Sequence, residues 1–277
     1  MNKENFILKN ANLKKDEDFL NSQNLLNKMN GWFSPASHAL FSIFLNYQQT
    51  KEIKGNLCEI GVWEGKSASI ICKNVQPEEK VFLIDPLLEK YTESIMRNID
   101  KICLAIPDNL VMCNMESDSF LNIGGINNLF HNFRFIHIDG CHTGSNIYSD
   151  LLLAEKLLSK EGIVVVDDFF NISYTQITEA VYRYLFTNPY SFRIFCAGFN
   201  KAYLCRPNSY SNYYTFCMRS LQLELLRKQI AVTIKKTSGI GDCYTIAIEG
   251  FNSITDPADG YRGPDWEENK LDYLEKK

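Results

Sequence analysis

Two segments of the chain end in acids that can share one ion. Phe135-Ile136-His137-Ile138-Asp139-Gly140-Cys141-His142 is an apolar run closing on a carboxylate, and Ile163-Val164-Val165-Val166-Asp167-Asp168 closes on two more. If these runs are neighbouring strands, about 4.8 Å apart, their tips gather Asp139, Asp167 and Asp168 into one cluster. Carboxylates that close raise some of one another's pKa values unless a cation sits among them. An all-oxygen set suits a hard ion, Mg²⁺ first and Mn²⁺ or Ca²⁺ after it, whereas Zn²⁺ would recruit Cys or His. An acidic pair that merely caps a strand is common, and it is the second strand, ending Ile-Asp-Gly-x-His, that favours a site. His142 follows on the loop leaving the same tip. With an ordinary pKa of about 6.5, it can take a proton from a hydroxyl at neutral pH. His137 alternates into the sheet and reads as a core residue, and His38 and His131 receive no role.

The second constellation is Glu59-Ile60-Gly61-Val62-Trp63-Glu64-Gly65-Lys66-Ser67, placed after a strand and opening a helix. Gly61 and Gly65 permit a sharp turn and close approach to a ligand. The helix that follows offers free N–H groups. Glu59 at the strand end can hold a hydroxyl or a cation, but it stands where the dinucleotide fingerprint needs its first glycine and is a poor neighbour for a phosphate. About 20 residues on, Val81-Phe82-Leu83-Ile84-Asp85 ends in a carboxylate suited to ribose hydroxyls, a feature that NAD sites share. Met115-Glu116-Ser117-Asp118 ends a third strand.

The elements that must carry these residues are legible. Ser34-Pro35 places an N-cap before a proline at the first helical position, and Ala39, Leu40, Ile43, Phe44 and Tyr47 follow at helical spacing. Strands are expected at Leu57–Val62, Val81–Asp85, Leu110–Met115, Phe133–Asp139 and Gly162–Asp167, each a continuous apolar run of the kind buried on both faces of a parallel sheet. Helices lie between and after them, as at Asp150–Ser159 and Thr175–Phe186. The alternation gives a doubly wound α/β sheet. Four strands end at Gly61, Asp85, Asp139 and Asp167, and ligands of open α/β sheets bind beyond such carboxyl ends. Phe192–Cys196 and Lys201–Cys205 flank a hairpin turn at Gly198-Phe199-Asn200, and a helix follows over about Tyr213–Lys228.

The run from about Gly31 to Cys205 resembles the metal-dependent branch of class I S-adenosylmethionine-dependent methyltransferases that includes the macrocin- and mycinamicin-type sugar O-methyltransferases. The residues that carry the likeness are the Glu-x-Gly-x-x-x-Gly loop, Asp85, Ile138-Asp139-Gly140-Cys141-His142 and Gly162-Ile163-Val164-Val165-Val166-Asp167-Asp168. The resemblance implies a Rossmann-like, mostly parallel seven-stranded sheet whose last two strands form an antiparallel edge pair. It implies S-adenosylmethionine held by Glu59, Gly61, Trp63, Gly65, Ser67, Asp85, Glu116, Ser117 and Asp139. It further implies Mg²⁺ or Mn²⁺ on Asp139, Asp167 and Asp168, with His142 as general base and Asp139 beside it in catalysis. The organisation expected is a polar, partly helical arm over residues 1–30, a methyltransferase domain over 31–205 and an extension over 206–277 that shapes the acceptor pocket or an oligomer.

Composition bounds the rest. Hydrophobic residues make up 45% and charged residues 22% of 277, as in a globular protein rather than a disordered one. A net charge of −4 without a basic tract opposes nucleic-acid binding. Nine scattered cysteines with no C-x-x-C pair suit reduced thiols in a cytoplasmic protein. No apolar stretch approaches the roughly 20 residues of a membrane span. The expectation is methyl transfer to a hydroxyl of a small, sugar-containing acceptor, in a possible homodimer. A metal-independent or N-directed methyltransferase, an NAD-dependent dehydrogenase and a non-catalytic binding protein are the alternatives. Trp32 and Phe33 can line the entrance; Tyr210, Tyr213, Tyr214 and Phe216 can stack on a sugar or simply pack.

Overall fold

The computed structural model describes residues 13–238 and 243–250. In chain order it has α1 (Glu17–Leu26), α2 (Pro35–Thr50), β1 (Asn56–Ile60), α3 (Lys66–Lys73), β2 (Val81–Ile84), α4 (Leu88–Cys103), β3 (Leu110–Cys113), β4 (Phe133–Ile138), α5 (Gly144–Leu157), β5 (Leu158–Asp167), α6 (Thr175–Thr187), β6 (Arg193–Gly198) and β7 (Lys201–Cys205). A helical stretch follows, α7 (Pro207–Phe216) running through a π-turn into α8 (Gln222–Arg227), and then β8 (Val232–Ser238) and β9 (Tyr244–Gly250). As the sequence requires, Ser34 caps α2 by accepting from the Ser37 N–H at 3.1 Å.

All nine strands form one sheet, in the order β3-β2-β1-β4-β5-β7-β6-β9-β8. Strands β1 to β5 are parallel. Their continuous apolar sequences are explained by the two cores they separate. Leu57, Val81, Phe135 and Val165 pack under α2, α3 and α4, while Cys58, Phe82, Ile136 and Val164 pack against α5 and α6. The order reverses at β1, which lies between β2 and β4, and this opens a crevice above the carboxyl ends of β1 and β4.

Two expectations need correction. The sheet has nine strands rather than seven, and the antiparallel β6–β7 pair is not at its edge, because β9 adds in parallel to β6 and β8, the antiparallel edge strand, pairs with β9. The added strand β8 was hard to see: Val232-Thr233-Ile234-Lys235-Lys236-Thr237 offers only Val232 and Ile234 to the core, not a continuous apolar run. The described part of the C-terminal extension therefore continues the main sheet. Tyr213 and Phe216 pack on Tyr47 of α2, and the Tyr213 hydroxyl donates to the Glu161 carbonyl at 2.5 Å. Likewise α1 lies against the body, with Phe19 and Leu26 buried and Lys73 bound to Asp18 at 2.7 Å. The outermost part of the expected arm, residues 1–12, and the tail beyond residue 250 lie outside the described residues. No helix among the described residues is long and apolar enough to cross a membrane.

The amino end of β4 is tied to its surroundings by the fully buried Arg134. It donates to both oxygens of Glu79 at 2.7 and 2.8 Å, to Gln48 at 3.0 Å and to the Asn74 carbonyl at 2.9 Å. Removing one partner of such a pair strands the other charge in the interior. Arg134→Met is therefore expected to lower unfolding free energy by about 3–5 kcal/mol, measured by urea titration.

Candidate active site

The crevice holds a cavity of about 680 Å³, large enough for a cofactor with part of an acceptor. One wall is the turn after β1. Gly61 has φ +82°, and a Cβ there would sit 2.1 Å from the Asp139 carbonyl oxygen. The glycine is needed because the exits of β1 and β4 touch; the Asp139 N–H also donates to the Ile60 carbonyl at 2.8 Å. Gly65, at φ +78°, precedes α3 and faces Ile95 of α4, not the cavity. Trp63 lies half-exposed between Trp32 and Tyr91, with ring centroids at 6.2 and 4.7 Å.

Asp85, at the end of β2, fastens that turn. Its Oδ2 accepts from the Val62 and Trp63 N–H groups at 2.8 and 3.2 Å, and its Oδ1 accepts from Leu87 at 2.7 Å. Beyond β3, the Ser117 hydroxyl donates to Asp150 Oδ1 at 2.5 Å. Of the residues expected to hold the cofactor, Gly61, Trp63, Ser67, Asp85, Glu116, Ser117 and Asp139 all line the cavity, as do Trp32 and Phe33. Glu59 does not. It is fully buried beneath the floor, with Oε1 bound to His137 Nδ1 at 2.7 Å.

The three acids at the other end are divided between two clusters that share Asp139. Asp139, His142 and Asp168 form one, and His137, Asp139 and Asp167 the other, with ligand atoms in each within 4.8 Å of one another. His142 Nε2 is 2.9 Å from Asp168 Oδ2, and its ring stacks on Tyr174 at 4.2 Å. Asp168 sits in the left-handed region, at φ +54°, and its Oδ1 accepts from Asn171 at 2.7 Å and Asn200 at 2.5 Å. Asp167 also lines the cavity but is already engaged by its neighbours. It forms an ion pair with the buried Lys201, its Oδ2 lies 3.8 Å from His137 Nε2, and its Oδ1 accepts from the Asp168 N–H at 2.7 Å.

These surroundings set the charges. Burial would hold the His137 imidazole neutral, but Asp167 and Glu59 outweigh it and raise its pKa to about 9. Asp167 lies well below the usual carboxylate range: burial opposes this, and Lys201 and His137 prevail. Asp139 is raised well above the usual range by burial and by the charge of Asp167. Among the described residues its carboxylate makes no hydrogen bond, so it is the group a cation would relieve.

Sequence reasoning missed the supporting cast. Lys201 opens an otherwise apolar strand and lies directly opposite Asp167 in the β5–β7 register; a lone ionisable residue at the mouth of a hairpin was the available signal. His137 is a core residue as expected, yet a charged one. Asn171, Tyr174 and Asn200 lie on loops whose course depends on tertiary structure.

Residues 58–169 match a family described as "Methyltransferase domain". Among solved structures, the fold is similar to that of the O-methyltransferase NovP, at 15% identity and TM-score 0.50 over 64% of this chain and 83% of that one. An O-methyltransferase from Bacillus cereus in complex with SAH is similar at 18% identity and TM-score 0.50, over 69% and 91% of the two chains. A Corynebacterium glutamicum protein is similar at 9% identity and TM-score 0.51, over 72% and 94%. No curated protein matches the chain.

Two measurements test this geometry. Gly61→Ala is expected to cost about 2–5 kcal/mol of stability, from a left-handed alanine and the collision with the β4 exit. A group whose pKa is raised on folding contributes stability that is complete below its unfolded pKa and lost as pH rises through the folded one. In metal-free protein the His137 contribution should therefore fade between pH 6.5 and about 9, with a slope of at most about 1.4 kcal/mol per pH unit. Urea titrations of His137→Gln should lack that component.

Proposed function

We propose that this chain is an S-adenosylmethionine-dependent methyltransferase that transfers the cofactor's methyl group to a hydroxyl of a small, sugar-containing acceptor, assisted by a divalent cation. The observation that carries the reading is the cluster of Asp139, Asp168 and His142 in the same cavity as the Gly61 turn and Asp85. Asp85 and the turn hold the ribose and methionine parts of the cofactor, and Glu116 and Ser117 border its base. Ser67 and Trp63 line the same wall, while Glu59 and Gly65 act from behind it. The sugar class rests on the sequence resemblance and on the exposed Trp32 and Trp63 at the cavity mouth, since aromatic faces stack on the apolar faces of sugar rings.

The donor set fits Mg²⁺ or Mn²⁺: Asp139 is an unpartnered carboxylate beside Asp168, and oxygen ligands suit a hard ion. Asp139 and Asp168 would hold it, with Asp167 completing the set if Lys201 yields. When bound, the ion polarises the acceptor hydroxyl and lowers its pKa. The chain does the remaining work. The loop and strand tips align oxygen, methyl and sulfur, so that the O–C bond forms as the S–C bond breaks and S-adenosylhomocysteine leaves. With His142 Nε2–H donated to Asp168, the free lone pair lies on Nδ1, which accepts the hydroxyl proton. Stacking on Tyr174 fixes the plane of the ring.

Lys201 favours one competing reading, transfer without a metal, because it already neutralises Asp167. A cytoplasmic setting is supported by nine cysteines that are all free thiols. A homodimer and a lack of nucleic-acid or membrane partners belong to the same proposal, the last two on the charge balance and apolar pattern.

The test is a methyl-transfer assay on a panel of sugar nucleotides, glycosides and catechols. Turnover should fall on EDTA treatment and return with Mg²⁺. His142→Ala should lower kcat by about 10²–10⁴. Asp139→Asn should abolish the Mg²⁺ response while leaving S-adenosylhomocysteine binding measurable. Full turnover in EDTA would select the metal-free reading, and unchanged kcat in His142→Ala would remove the base.

A further inference from the structure

The hairpin between β6 and β7 grips both acids at the end of β5, and it treats them differently. Lys201 lies opposite Asp167 in the strand register and pairs with it by charge. Asn200, one residue earlier, reaches the next acid with main chain and side chain together. Its carbonyl accepts from the Phe169 N–H at 3.0 Å, and its amide Nδ2 donates to Asp168 Oδ1 at 2.5 Å. Asn171 donates to the same oxygen at 2.7 Å, but from the loop that carries Asp168 itself, so that bond travels with the loop. Of the two amides, only that of Asn200 ties Asp168 to another element.

This grip is kept against an unfavourable backbone. Asp168, Phe170, Phe199 and Asn200 all lie in the left-handed region, at φ +54°, +68°, +51° and +68°. Residues with a Cβ avoid that conformation, and they persist in it where surrounding contacts over-determine them, commonly at functional sites. The result is directional. A carboxylate has about four acceptor positions on its two oxygens, so two amides fill Oδ1 of Asp168 and any further partner must come to Oδ2. That oxygen lies 2.9 Å from His142 Nε2, in the cluster shared with Asp139. An amide is neutral. It aims the carboxylate without opposing its charge, whereas Lys201 opposes that of Asp167.

We propose that Asn200 is a positioning residue, which occupies Oδ1 of Asp168 so that Oδ2 alone is presented to a divalent cation held with Asp139. The inference rests on the metal-assisted reading above and adds to it the residue that aims one of the ligands.

The test is Asn200→Gly in the full chain. Glycine adopts the left-handed turn freely, so the hairpin is kept and the amide is lost. Mn²⁺ binding is followed by electron paramagnetic resonance with S-adenosylhomocysteine present and no turnover. The unaltered protein should bind Mn²⁺, and the variant should bind it about 10- to 100-fold more weakly. Calorimetry should give both proteins the same affinity for S-adenosylhomocysteine, and the variant should still melt cooperatively. Phe199→Gly relaxes the same turn but keeps the amide, and it should leave Mn²⁺ affinity unchanged. Equal Mn²⁺ binding by Asn200→Gly and the unaltered protein would overturn the Asn200 assignment and leave the metal reading standing. Equal weakening in Phe199→Gly would also overturn it, by tracing the effect to a loosened hairpin. No Mn²⁺ binding by the unaltered protein would defeat the metal reading, and the assignment with it.

Discussion

Along the carboxyl edge of the sheet, Glu59 on β1, His137 on β4, Asp167 on β5 and Lys201 on β7 follow one another with alternating sign. The strand registers impose the order: Glu59 is opposite His137, and Asp167 is opposite Lys201. Opposite charges attract strongly where water is scarce, and a buried charge without a partner is costly. The row therefore behaves as a unit, and losing one member leaves its neighbours uncompensated. Asp139, at the end of the same strand as His137, stands outside the alternation. Its carboxylate is the one acid of the floor with no hydrogen bond among the described residues, and it faces the cavity with Asp168 and His142. The structure thus commits its fixed cations to Asp167 and leaves at Asp139 a carboxyl group without a partner, held towards its neutral form by burial and by Asp167, where a ligand enters.

The same edge explains the glycine turn. A motif of two glycines suggests room for a ligand, but Gly61 mainly makes room for the backbone of Asp139, and Gly65 for α4. Asp85 completes the arrangement by binding the turn through Oδ2, which accepts twice, while Oδ1 accepts once. A carboxylate has about four acceptor positions, so a ribose hydroxyl can still be received at Oδ1. One side chain therefore shapes the loop and presents a binding atom.

Much of this was legible in the sequence, because strand ends are marked by chemistry. Continuous apolar runs closing on Asp85, Asp139 and Asp167 located the carboxyl ends of the parallel strands, and so the crevice, to within a residue or two, although β5 begins at Leu158, four residues before the expected Gly162, and α5 at Gly144, six before the expected Asp150. Ser34-Pro35 set the start of α2, and Phe199-Asn200 formed the expected tight turn, both residues at positive φ. The illegible parts share a cause: they depend on which strands become neighbours. Lys201 meets Asp167 only because β7 inserts between β5 and β6. Glu59 looked like a ligand contact because it is acidic and near a strand end, but it lies one position before that end and is buried against His137. Asp150 was hidden as one polar residue in an amphipathic helix. The aromatic stretch from Tyr210 to Phe216 was ambiguous in composition alone, and burial of Tyr213 against Tyr47 resolved it as packing.

The most direct examination of the central claim is anomalous diffraction from crystals grown with S-adenosylhomocysteine and Mn²⁺. The account requires a manganese peak about 2.0–2.3 Å from carboxylate oxygens of Asp139 and Asp168, with the cofactor sulfur between that peak and the Gly61 turn. A cofactor bound in the crevice with no peak at Asp139, or with Lys201 and Asp167 unchanged and Asp139 facing only water, would contradict it.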